Sequence, residues 1–233
     1  MNGLLKGDTL RCVINMGNPL LAQANGDSAQ GVSVDMAHQL AKVLNVECTL
    51  LVVNNAREAV QALEQDEVDI GFLAVDPSRG EHIAFTAPYL LIEGCYLVKA
   101  DSPLTNSAQV DHEDHAVVVG LGSAYDLFLS RHLQHAQLVR AESSKAVVPT
   151  FLQGEHAVAA GVKHQLETDA QQHTGLRLLP GAFMAIQQAM ATPKSRGLAA
   201  HQYLEGFLQG LKQEGFIHRA MHAHGVSGAS LAP

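Results

Sequence analysis

Apolar and polar positions along the chain fall into two successive runs of alternating strand and helix character. Residues 10–16 (LRCVINM) carry the apolar run of a buried strand, and the turn-rich stretch NPLLAQANGDSAQG after them predicts a loop or a wide hairpin. From Asp35 onward, Met36, Ala37, Leu40, Ala41 and Leu44 recur at helical spacing, and CTLLVV then predicts a second strand. Asn54 or Asn55 can cap the next helix, which carries Ala59, Val60 and Leu63; the unbroken apolar run at 68–75 predicts a third strand, covered on both faces. Strands and helices in that alternation imply a parallel sheet flanked by helices.

Asp76-Pro77-Ser78-Arg79 is a turn, and residues 83–99 form a long extended stretch. After the polar linker ADSPLTNSAQ the pattern starts again. Residues 116–122 read as a strand, 123–133 as a helix with Ser123 at its N-cap, AQLVRAE as a strand, and SKAVVPTFLQ as a helix disturbed by Pro149. HAVAAGV is a strand, VKHQLETDAQQH a helix and LRLLPGAFMAIQQAMA a pair of extended segments. Residues 196–224 are helical, with Leu204, Phe207, Leu208 and Leu211 on one face.

Composition narrows the functional classes. The formal net charge is −8 and no Lys/Arg stripe occurs, so the phosphate-neutralising footprint of a nucleic-acid binder is missing. The longest apolar runs fall short of the roughly 18–20 residues that span a bilayer, so no membrane insertion is expected. The N-terminal MNGLLKGDTLRCVINMG has neither an apolar h-region nor a small-residue cleavage site; either the protein stays in the cytoplasm or an export segment has been removed.

Cys12, Cys48 and Cys95 are odd in number and far apart in sequence, which predicts inert thiols and no disulfide framework. Among the 13 His, the pair His218 and His222, with His224 beyond, and the pair His132 and His135 share helical faces. Lacking a nearby Cys or an obvious carboxylate, they predict a solvated surface and no metal site. GLGSAY lacks the third glycine and the downstream acid of a dinucleotide fingerprint, and no GxSxG, HExxH or phosphate-loop motif occurs, so no cofactor is expected.

The order of parts resembles the type II periplasmic solute-binding proteins, specifically the polar amino-acid-binding family. The segments that carry the resemblance are Asn18-Pro19, GVSVDMAHQLAKVL, AVQALEQDEVDIGFLA, SRGEHIAFTAPYL, VGLGSAYDLFL, TFLQGEHAVAAG and LEGFLQGLKQEGFIHRAM. It implies an α/β fold of two Rossmann-like lobes joined by a two-strand hinge. Residues 1–92 with 188–233 would form lobe 1 and residues 93–187 lobe 2, with crossovers near Leu91–Val98 and Phe183–Ala189. It also implies a monomeric substrate-binding component of an ABC-type transport system, which closes on a small carboxylate ligand and hands it to a permease, in the periplasm.

In that family an Arg after the third strand holds the ligand carboxylate, and Arg79 stands at that place. A guanidinium stays charged and forms two parallel hydrogen bonds to a carboxylate. Gly122 and Ser123, at the start of a helix, would add a hydroxyl and backbone N–H groups. Asn18 follows the first strand, where the family covers the ligand side chain, and Ala74 and Asp76 precede Arg79 in a loop about two residues shorter than the family's. The sharpest departure is Ala157, where the family's Gly-x-x-Asp-Ala pattern places an Asp read as the partner of the ligand ammonium; either the ligand lacks the usual amino group, or another acid such as Glu93 or Asp126 replaces that Asp. Two alternatives remain on the same fold. One is a cyclohexadienyl or arogenate dehydratase, with Glu93, Lys163 or His164 as the general acid. The other is an intracellular ligand sensor.

Overall fold

The computed structural model of the protein describes residues 3–26 and 28–233. The chain divides into two compact units, Met1–Leu91 with Gln187–Pro233, and Ile92–Ile186.

In the first unit β1 (Thr9–Asn15) leads through the antiparallel hairpin β2 (Gln23–Asn25) and β3 (Ser28–Gln30) into α1 (Val32–Leu44). The elements β4 (Glu47–Val53), α2 (Ala56–Glu64) and β5 (Ile70–Ala74) follow, and a short 3-10 turn at Arg79–Glu81 precedes β6 (Ile83–Lys99). Strand β1 pairs in parallel with β4 on one side and with β5 on the other. The chain therefore reverses its direction of winding at β1, and the crevice for a ligand in such a sheet lies outside the carboxyl ends of the strands at that reversal. Helix α1 starts at Val32, three residues before Asp35, because Val32 and Val34 extend its buried face and the Ser33 N–H bonds the Leu21 carbonyl at 3.1 Å. Helix α2 is capped by Asn55, whose side chain accepts from the Glu58 N–H at 2.9 Å while Glu58 accepts from the Asn54 N–H.

The second unit contains β7 (Ala116–Gly120), α3 (Ala124–His132), β8 (Gln137–Ala141), α4 (Val147–Gln153), β9 (Val158–Val162), α5 (Lys163–Gln172) and β10 (Leu176–Leu178). Strand β7 pairs in parallel with β8 and β9, which repeats the winding reversal of the first unit. Pro149 leaves α4 intact because it is the third helical residue, in the first turn, where backbone N–H groups have no partner within the helix. Phe151, Val118, Ala159 and Leu166 pack together as this unit's core.

Strand β11 (Met184–Pro193) carries the chain back into the first unit, where α6 (Gly197–Gln213), α7 (Phe216–Ala223) and β12 (Ala229–Leu231) complete it. The long helix expected over 196–224 is two helices, because Gly215 takes a left-handed φ of 66° between them. A buried ion cluster ties this segment to the start of the chain. Asp69, fully buried, receives Arg11 at 2.7 Å and Arg196 at 2.8 Å, and the Asp69 carbonyl accepts from Thr192 at 2.9 Å. Strand β12, too short and polar to announce itself in sequence, pairs with β6, and the Ala232 N–H bonds the Tyr89 carbonyl at 3.1 Å.

The three cysteines are free, with Cys12 and Cys95 buried and Cys48 half-buried. Residues 36 apart in sequence become neighbours on the paired strands β1 and β4, and the Cys12 and Cys48 sulfurs lie 3.8 Å apart. The shared proton holds Cys48 below the ordinary thiol range and, with burial, pushes Cys12 well above it.

Candidate functional site

Three of the sequence-selected residues meet at the carboxyl end of β5. Ala74 is its last residue, and its carbonyl accepts a 2.9 Å hydrogen bond from Arg79 Nη1. The turn between them is built by Asp76, whose Oδ1 accepts from both the Ser78 N–H at 2.9 Å and the Ser78 hydroxyl at 2.7 Å; its carbonyl accepts from the Gly80 N–H. This is the local chemistry expected of Asp-Pro-Ser, a side chain mimicking a backbone turn. Its effect is to fold Arg79 inward: the residue is only 4% exposed, which excludes a solvated turn arginine. Burial pulls the guanidinium down to about 10, against the nearby Asp76 carboxylate, so the cation remains charged at neutral pH.

Asn18 lies in the turn past the carboxyl end of β1, which is the strand next to β5. Its Oδ1 accepts from the Leu20 N–H at 3.2 Å and its carbonyl from the Leu21 N–H at 3.1 Å, so its turn already accounts for the choice of Asn. Pro19 and Leu20 beside it line a cavity of about 290 Å³, bounded further on by Gly31 and His224. His224 is not the free surface imidazole that sequence suggested: its Nε2 lies 2.8 Å from Asp35 Oδ2. Among the described residues no group of three metal-ligating side chains comes together.

In the second unit the matching turn follows β7. Gly122 takes a φ of 68°, which only glycine adopts cheaply, and Ser123 caps α3 by accepting from the Asp126 N–H at 3.1 Å. The carboxylate of Asp126, 3% exposed, turns back over this helix end and accepts from the Gly122 N–H at 2.8 Å. Arg140 Nε donates to the same carboxylate at 3.0 Å. Asp126 is thereby committed to structure and is not a free substitute for a missing acid. Glu93 is committed as well, to Lys163 at 2.6 Å, and both groups are largely solvated. A general acid for a dehydratase would need a sequestered proton, which an exposed ion pair does not provide.

Ala157 requires a correction. It precedes β9, and its N–H bonds the carbonyl of Ala116, the first residue of β7. Gly122 and Ser123 follow the opposite, carboxyl end of β7, about 17 Å away at the rise of a five-residue strand. An Asp at 157 would therefore lie at the far edge of the sheet from that turn. At the near edge β9 ends in Val162, followed by Lys163. The pattern of small residues around 157 sets the start of a strand, and sequence alone cannot tell which end of a strand a residue faces.

Solved structures of three proteins share this architecture. A mutant of ArgBP from T. maritima superposes with a TM-score of 0.79 at 16% identity, over 94% of this chain and 96% of that one. The solute receptor for L-cysteine of Neisseria gonorrhoeae superposes at 0.80 with 19% identity, over 93% and 89%. An ancestral amino acid-binding protein, a precursor of cyclohexadienyl dehydratase, superposes at 0.78 with 18% identity, over 93% and 94%. Together with the repeated winding and the two strands that run through both units, these likenesses define the class: an α/β protein of the type II periplasmic binding fold. The family model for bacterial extracellular solute-binding proteins, family 3, matches residues 10–224, and the chain belongs to that family. Among the described residues no helix is long and apolar enough to cross a membrane.

Proposed function

We propose that this solute-binding protein is the receptor of an ABC-type uptake system and that it closes on a small carboxylate, an amino acid or a related organic acid. The observation that carries the reading is Arg79, a buried cation held at the carboxyl end of β5 by the Ala74 carbonyl and opposed by Asp76. A guanidinium already desolvated and oriented loses little on meeting a carboxylate, whose planar, two-point geometry its fork of donors matches. In this reading the first unit catches the ligand through Arg79, and the second unit then closes and adds the Ser123 hydroxyl, the Gly122 N–H being held by Asp126. Ligand preference for the closed form shifts the population toward it. The protein acts as a receptor and not as a catalyst, working outside the cytoplasm as a monomer with a membrane permease as its partner. The related structures support an amino-acid ligand: ArgBP from T. maritima is described in an arginine-bound form, and the Neisseria gonorrhoeae protein as a solute receptor for L-cysteine.

A thermal-shift screen tests the reading. The protein is unfolded and refolded to strip carried ligand, then mixed with L-amino acids and with their amine-free carboxylate counterparts. At a ligand concentration about 100-fold above Kd the stabilisation is about 2.7 kcal/mol, or roughly 5–11 °C for a chain of this size. Arg79→Met should abolish the shift while still unfolding cooperatively. A full shift with Arg79→Met would place the carboxylate elsewhere.

A further inference from the structure

Resting on the reading that Arg79 takes the ligand carboxylate, we infer that the Gln188 Oε1 accepts a hydrogen bond from the ligand's ammonium and so favours amino acids over their amine-free counterparts. A zwitterion bound through its carboxylate carries its ammonium only one carbon away, so an acceptor must stand beside Arg79. The acids that sequence offers for this task are occupied: Asp126 by Gly122 and Arg140, Glu93 by Lys163, and Asp76 Oδ1 by Ser78.

Gln188 lies on β11 directly opposite Ala74, the residue whose carbonyl holds Arg79. It is 6% exposed, and its Oε1 is buried without a hydrogen-bond partner among the described residues. A buried amide oxygen left unpaired is costly, and few such atoms occur in a folded domain. The neighbouring positions explain why it is not simply part of the core. Strand alternation sends Ala189 and Ala191 toward the face where Ala191 packs with Leu63 and Leu73, while Gln188 points to the other face with Ala74. Among the described residues the other such buried oxygen, the Tyr89 hydroxyl, has the Ser33 hydroxyl beside it and lies off β11. A neutral amide also differs in kind from a carboxylate acceptor. It accepts from an ammonium without repelling an uncharged analogue, so amine selectivity should be moderate in the native protein and adjustable by charge.

The test uses isothermal titration of the stripped full chain with the tightest L-amino acid from the panel and its amine-free counterpart. Gln188→Met, close in volume, should weaken the amino acid roughly 10- to 100-fold and leave the amine-free carboxylate within about threefold. Gln188→Glu should move the ratio the other way, holding or strengthening the amino acid and weakening the amine-free carboxylate. A purely structural role would lower both affinities together in both variants. Equal effects on the two ligands, no effect, or a wild-type protein that binds no amine-bearing member of the panel would overturn the assignment. Failure of the underlying reading looks different: Arg79→Met would then bind both ligands as the wild type does.

Discussion

The carboxyl ends of β5 and β7 are built alike and end differently. Each strand gives way to a tight turn, in each an Asp side chain organises the backbone, and each has an arginine within reach. At β5 the arginine is the buried member, bonded to the Ala74 carbonyl and close to the charge of Asp76. At β7 the buried member is the carboxylate of Asp126, which draws in both the helix-end N–H of Gly122 and Arg140. The first turn is thus centred on a buried cation, whereas the second is centred on a buried carboxylate. A glycine-serine step at a helix start does not by itself make an anion site, because a carboxylate three residues later can fill it.

The largest change to that contrast is Asp126→Ala. It leaves Arg140 and the Gly122 N–H without their carboxylate, and because Arg140 is partly solvated the cost should be about 2–3 kcal/mol. Thermal unfolding should then fall by roughly 4–12 °C. No fall would mean that the carboxylate is not what holds this turn. Ser123→Ala removes the cap of α3 and should cost about 1 kcal/mol, a drop of roughly 2–4 °C. Its effect on ligand affinity should stay well below that of Arg79→Met, and a larger effect would make the second unit the principal anion site. The smallest change concerns pH. Backbone N–H groups of Ala136, Gln134 and His135 hold the Asp111 carboxyl below its usual range. A depressed folded-state value contributes stability above the ordinary carboxylate value, and that contribution is lost as pH falls through the folded value. Urea melts should show Asp111→Asn less stable than wild type near pH 6 and the two converging below about pH 4.

Much of this architecture was legible because its signals are local. The β1, α1, β4, α2, β5 alternation is written in runs of apolar residues whose period changes from strand to helix, and Asn55 and Ser123 cap helices by contacts three residues long. What escaped depends on pairing between distant segments. Cys12 and Cys48 became neighbours only through the β1–β4 register, and His224 met Asp35 across 189 residues. Ala157 was misjudged because sequence shows that a strand follows but not which of its ends faces the Gly122 turn. Gln188 was invisible for a related reason. An amide in QQAM reads as an ordinary polar residue until β11 is laid beside β5 and its oxygen is found buried.

The account depends most on Arg79 being the group that receives the ligand, and nitrogen NMR of the arginine side chains would show this directly. With the Arg79 Nε–H resonance assigned by its loss in Arg79→Lys, the stripped protein is titrated with the tightest carboxylate ligand of the panel. The account predicts a large, saturable shift of that resonance, with Arg140 nearly unmoved. A protein saturated with ligand whose Arg79 resonance stays in place would contradict it.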